Sequence, residues 1–243
     1  MLAGTEECGM KRWWQTMAVL AAVNLAGGAG ATDFDSSSTA GLTSNYLFRG
    51  QSIAPFGFMR HGSTWLKLTD GLRLDVRDFS YWRMTNDIRD GETDWDFGLR
   101  WQPTKTAAAV RVGWITYNRL RWLGGGSRDE VTASYEAASR GRPFLRLFYG
   151  YDHKPGFYGE CGGGQQWHFG RRQTADLTAT LGASDGRGGS GAFRFVSLKS
   201  LYTWDISPQF RLQPSLELVV PGRDVASYGA RLVPSLNLQY RLF

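Results

Sequence analysis

Apolar and polar residues alternate along most of this chain, and the alternation is clearest at its end. Leu236, Leu238, Tyr240 and Leu242 fall on one parity, Asn237, Gln239 and Arg241 on the other. Period two marks a strand with one apolar and one polar face. At 93–102 the pattern returns, with Trp95, Phe97, Leu99 and Trp101 set between Asp94, Asp96, Gly98 and Arg100. It recurs at 72–79 (Leu72, Leu74, Val76), 108–117 (Val110, Val112, Trp114) and 129–139 (Val131, Ala133, Tyr135). The stretches 144–151 (Leu145, Leu147, Tyr149), 174–183 (Leu177, Leu181) and 210–220 (Leu212, Leu216, Leu218) repeat it. Less regular strands are expected at 41–50, with Leu42, Tyr46 and Phe48 on one face, and at 61–69, 158–169 and 193–204.

Between these runs lie turn signals. Asp70-Gly71 reads as a tight turn, and Pro103-Thr104-Lys105, Arg140–Pro143, 170–172 and Ser207-Pro208 as short ones. Residues 51–60, with Pro55 and Gly57, read as a loop, as do 86–92, 118–127, 152–157, 184–190 and 221–229. The sum is about twelve strands, with ten and fourteen left open. Pro214 and Pro234 fall in or at the start of strands and are expected near rims or bulges, because each removes a ladder donor. An all-β antiparallel transmembrane barrel follows, apolar outside and polar within. A soluble antiparallel sandwich also alternates. Strand length and the aromatic content of the alternating face favour the barrel.

Composition supports this reading. The 243 residues include 10 Trp, 10 Tyr and 14 Phe, carry a net charge of +6, and are 42% hydrophobic. A mean hydropathy of -0.33 is too polar for a helical membrane protein. It suits a barrel, where only alternate residues meet lipid. Lys11-Arg12, the apolar run 13–29 and Ala29-Gly30-Ala31 read as a signal peptide region over 1–31, with Met10 as a candidate true start. The barrel domain is then 32–243, which leaves Cys161 alone and places the protein in the cell outer membrane.

The stretch Leu42-Thr43-Ser44-Asn45-Tyr46-Leu47-Phe48-Arg49-Gly50-Gln51-Ser52 resembles the opening strand of the TorF-like family, Gram-negative outer-membrane barrel proteins of unknown function. Ser44, Asn45, Tyr46, Phe48, Arg49 and Gly50 carry the match, and Gly156-Phe157-Tyr158-Gly159-Glu160 resembles a later family segment. The resemblance implies a barrel and a role in small-solute transport. The C-terminus departs from the usual assembly signal for the barrel-assembly machinery: Arg241 stands third from the end, where an aromatic is usual, and Tyr240 is displaced by one.

Candidate chemistry is sparse. His61-Gly62-Ser63 has the histidine-x-serine spacing of an esterase acting on lipid or lipopolysaccharide, with Glu130 or Glu160 as a carboxylate. His153 and His168, with Asp152, lack the spacing of metal ligands. No cofactor, metal or nucleic-acid partner is expected. The inward face is more informative. It is expected to hold Arg49, Arg73, Asp75, Arg77, Asp94, Asp96, Arg100 and Arg111, with Asp129, Arg146, Gln213, Gln239 and Arg241. Arg49 requires a carboxylate, with Asp78, Asp94 and Asp96 as candidates. These charges either interlock and fill the barrel or line a passage biased toward anions. The leading expectation is a porin or small-solute channel that contacts outer-membrane lipids, lipopolysaccharide and small solutes. The alternatives are a non-conducting structural or surface-interaction barrel and, behind it, the esterase.

Overall fold

A computed structural model describes residues 33–48, 51–84, 91–119, 126–151, 155–185, 194–222 and 229–241. Its strands are β1 (Phe34–Phe48), β2 (Gln51–Thr69), β3 (Leu72–Arg83), β4 (Gly91–Trp101), β5 (Ala109–Arg119) and β6 (Gly126–Glu136). They continue as β7 (Phe144–Gly150), β8 (Gly156–His168), β9 (Gln173–Ser184), β10 (Arg194–Asp205), β11 (Phe210–Pro221) and β12 (Arg231–Arg241). Each strand pairs with its sequence neighbours, and β1 pairs antiparallel with β12 from Ser37↔Arg241 to Thr43↔Ser235, which closes the barrel. Closure removes the strand edges and satisfies the backbone without water, as a hydrocarbon environment requires. The start of β1 and the end of β12 lie at one end, with the short connections 70–71, 169–172 and 206–209. Longer connections, 185–193 and 222–230, lie at the other. On average the connections at the first end are shorter than those at the other, which marks it as the periplasmic end.

The outer wall follows the alternation. Leu99, Val112, Val131, Leu147, Leu181, Leu198, Leu218 and Leu238 are exposed on it. Aromatics gather at both rims: Trp101, Trp167, Trp204, Phe210 and Tyr240 toward the periplasm, Phe56, Phe58, Tyr149 and Phe157 toward the exterior. Such girdles seat amphipathic rings at the two membrane interfaces. One polar interruption stands on the lipid-facing side of β2 and β3. Arg60 pairs with Asp78 at 3.0 Å. The pair sits between the Phe58↔Trp82 and Leu66↔Leu74 cross-strand pairs.

Several expectations need correction. Residues 51–60 form no loop: they are the first half of β2, paired with β3 from Gly57↔Arg83 onward. Glu92 belongs to β4 and not to a preceding loop. Asp129 shares the parity of Val131 and Tyr135, so it lies on the outward face, and Glu130 is the residue that points inward. The two carboxylates are adjacent, and a register slip of one residue exchanges the faces. Leu42 is exposed outside whereas Tyr46 is buried, so the two do not share a face. Asp78 faces outward and is no interior partner for an arginine.

The prolines account for two irregularities. The β10–β11 ladder breaks between Leu201↔Ser215 and Trp204↔Leu212 and resumes in the same register. Pro214, which has no N–H, lies in the gap, so it interrupts the ladder without a shift of register. Pro234 stands one step beyond the last β1–β12 pair, Thr43↔Ser235. No donor is available there to extend that ladder, and the alternation of side chains along β1 breaks just beyond it, although the strand runs on to Phe48. The side chain of Thr43 donates to the carbonyl of Asn45 at 2.8 Å and fixes the departure. The consecutive residues Tyr46 and Leu47 then both pack against interior clusters.

Candidate functional site

The lumen has two unlike walls and a packed layer. On the β3–β5 wall, alternate inward positions carry long charged side chains. Arg73 Nε lies 2.8 Å from Asp75 Oδ1 and Arg77 3.6 Å from Asp75 Oδ2. Arg111 bridges Asp75 at 3.6 Å and Asp96 at 2.5 Å, and Arg77 approaches Asp96 at 3.9 Å. Gly98 makes this possible, since a Cβ there would lie 2.4 Å from the Arg111 guanidinium. Asp75 is 3% exposed and Arg111 8% exposed. Each charge at this depth depends on its partners, because an unpaired buried ion is strongly unfavourable.

Of the charged residues anticipated from sequence, Arg73, Asp75, Arg77, Asp96 and Arg111 thus form one lattice. Arg100 turns to Glu136 at 3.7 Å. Asp94 is buried. Arg49 lies outside the described residues, as does Gly50 of the first-strand motif.

The layer lies at the extracellular end. Tyr46 stacks on Tyr81 at 4.6 Å and on Phe79 at 5.4 Å, with Ala54 and Met59 against them. Gly57 leaves room for Tyr81, whose hydroxyl would be 2.3 Å from a Cβ at that position. Leu47 packs with Phe148 against Tyr158, Phe195 and Val219. The two clusters therefore meet through adjacent residues of β1. Glutamates complete the layer. Tyr46 hydrogen-bonds Glu92, Tyr117 donates to Glu130 at 3.0 Å, and the Tyr158 hydroxyl donates to Glu160. Glu92 is 1% and Glu130 0% exposed. Arg128 adds an ion pair to Glu130 at 3.1 Å, and Arg146 one to Glu160 at 3.3 Å.

Sequence reading missed this layer. It treated the interior as uniformly polar, and two of the Tyr–Glu pairs, Tyr46–Glu92 and Tyr117–Glu130, join strands that no motif connects. The only signal was local: Tyr46 and the Tyr158–Glu160 segment both stand in stretches singled out by resemblance. The same pairs occupy the carboxylates offered to an esterase, since Glu130 and Glu160 are bonded to tyrosines. His61 instead lies 4.5 Å, ring to ring, from Phe79. Asp152 and His153 are outside the described residues, and among the described residues no group of three metal-ligating side chains occurs.

The β9–β12 wall is different. Its inward positions include Thr174, Thr178, Ser197, Thr203, Gln213, Ser215, Ser235 and Asn237. These short side chains leave a cavity of about 560 Å³ that reaches from the periplasmic connections to Lys199. Above it a second cavity of about 290 Å³ begins at Lys199 and runs up to Tyr46 and Leu47.

A closed twelve-stranded barrel with a lipid-facing apolar belt, two aromatic girdles and a polar lumen is an outer-membrane β-barrel. Solved structures place it among barrels of that kind. The COG4313 outer membrane channel from Pseudomonas putida F1 superposes with a TM-score of 0.50 at 10% identity, over 88% of this chain and 96% of that one. A protein from a study of the in-meso crystallization of membrane proteins superposes at 0.51 and 9% identity, over 86% and 84%. Identities this low establish the fold alone. No family model and no curated protein matches the chain in sequence.

Proposed function

We propose that this protein is a small-solute channel of the outer membrane with an anion bias, held closed at its extracellular end by the layer built around Tyr46 and Leu47. One observation carries the reading: the interior ion pairs run along the wall. Arg73–Asp75 lies within β3, and Arg77–Asp96, Arg111–Asp75 and Arg111–Asp96 join neighbouring or next-neighbouring strands, as do Arg146–Glu160 and Arg211–Asp205. Pairs arranged in this way neutralise a wall and leave the facing side as a passage. The excess of basic residues over acids supplies the anion bias. The first-strand motif that resembles the TorF-like family then has a physical role, since its Tyr46 is the centre of the closure.

The buried layer favours a second reading, a permanently closed barrel. Single-channel recording of the folded 32–243 chain in a planar bilayer separates the two. A channel gives brief openings in the wild type and frequent ones after Tyr46→Ala with Leu47→Ala, with a reversal potential in a salt gradient displaced toward the anion. Silence from both folded proteins overturns the channel reading.

A further inference from the structure

The cavity at the periplasmic end is unbalanced in charge. Two of its arginines are already committed. Arg142 donates to Asp176 at 2.6 Å, and Gln166 donates to the other oxygen of that carboxylate at 3.1 Å. Arg211 Nε donates to Asp205 at 2.5 Å. With Asp176 and Asp205 so engaged, Arg171, Arg172 and Lys199 also line the cavity. Among the described residues none of these three has an acid within ion-pair distance. Glu217 is the cross-strand neighbour of Lys199 and lines the upper cavity.

The cations stand at two levels. Arg171 and Arg172 belong to the 169–172 connection at the periplasmic mouth, and Lys199 lies midway along β10. Between them the lining is hydroxyl and amide: Thr178, Thr203, Gln173 and Gln213. Hydroxyls and amides bond a solute's own hydroxyls, and guanidinium groups bind carboxylate and phosphate with paired donors. A volume of about 560 Å³ accommodates a molecule of sugar size.

We infer that this cavity is a binding site for a small hydroxylated oxyanion, a sugar acid or sugar phosphate. Arg171 and Arg172 receive it at the periplasmic mouth, and Lys199 holds it at the inner end. The inference rests on the channel reading only for the solute's route across the barrel. Occupancy of the cavity is measured without conduction, so the two fail separately.

The test is isothermal titration of the folded full-length barrel in detergent with glucuronate, glucose 6-phosphate, glucose and inorganic phosphate. Glucuronate or glucose 6-phosphate binds and glucose does not. Which acid binds more tightly distinguishes carboxylate from phosphate recognition. Lys199→Gln weakens binding about tenfold and Arg171→Gln with Arg172→Gln by about as much again, the loss expected for a charge-assisted hydrogen bond. All three side chains are solvent-accessible, and cold-gel mobility together with far-ultraviolet circular dichroism verifies that the variants are folded. Failure of both acids to bind overturns the inference. Equal binding of glucose, or affinity unchanged in the variants, does so too, as does inorganic phosphate binding as tightly as glucose 6-phosphate. If the acids bind a protein that never conducts, the site stands and the channel reading falls.

Discussion

Replacing Tyr46 by alanine tests the closure directly. The ring is 7% exposed and stacked between Tyr81 and Phe79, and its hydroxyl reaches Glu92, which is 1% exposed. An aromatic side chain buries about 150–250 Å², roughly 4–6 kcal/mol at 25 cal/mol per Å². Measured aromatic-to-alanine changes in cores cluster at about 3–5 kcal/mol. The lower part of that range applies here, because a void beside a polar lumen admits water and relaxes. Tyr46→Phe keeps the stack and removes only the bond to the carboxylate, worth about 1.5–3 kcal/mol. Urea unfolding in lipid vesicles reads both values. Single-channel recording in the same lipid reads the consequence, a higher open probability in the alanine variant. If Tyr46→Ala unfolds at the wild-type urea concentration, the ring is not packed in the lumen. If it unfolds earlier yet conducts no more than wild type, the packing is right and the closure is wrong.

Three further outcomes follow from the same structure. Arg111→Ala leaves Asp75 and Asp96 with weaker partners and costs about 3–5 kcal/mol by urea midpoint, as expected when one member of a buried ion cluster is removed. Arg60→Ala strands Asp78 on the lipid-facing wall, with a loss of about 1–3 kcal/mol that Asp78→Asn in the same chain largely restores. Pro234→Ala returns a ladder donor next to the last β1–β12 pair, Thr43↔Ser235. Amide hydrogen exchange at Ser44 and Asn45 then slows as the β1–β12 ladder lengthens, and on the channel reading openings become more frequent.

The barrel was legible because lipid enforces parity. Wherever a strand has one face in hydrocarbon, every second residue is apolar, and β4, β5, β9 and β12 show it without ambiguity. Legibility fails where that constraint lapses. In β1 the ladder with β12 ends at Thr43 and the alternation breaks there, so Tyr46 and Leu47 both pack inside and no period describes them. In the first half of β2, Pro55 and Gly57 carry turn chemistry, yet the stretch is strand, and Gly57 serves to admit the Tyr81 ring. At Asp129-Glu130 two adjacent acids offer no hydropathy difference of their own, and the parity carried back from Val131 and Tyr135 shows that Glu130 is the buried one. The charge lattice was legible as a set of inward residues on β3 to β5. Its pairing was not, because Gly98 had to be seen beneath Arg111.

The division of the lumen follows from where side-chain length falls along the chain. Arginines and aspartates are concentrated at the inward positions of β3 to β5, and serine, threonine, glutamine and asparagine at those of β9 to β12. Interior width grows with strand number, and in a twelve-stranded barrel long side chains on every strand would fill the bore. With the long chains on one side and folded against that wall by their own ion pairs, the remaining width lies against the short ones. The resulting path is eccentric. It rises from Arg171 and Arg172 past Lys199 to Tyr46, and it ends at the segment that Pro234 prevents from joining the ladder. A passage blocked by a rigid core would need the wall itself to move. On the channel reading the two clusters of the closing layer meet through Tyr46 and Leu47 of β1, so opening requires the rearrangement of a few residues of that strand, a loop-scale motion.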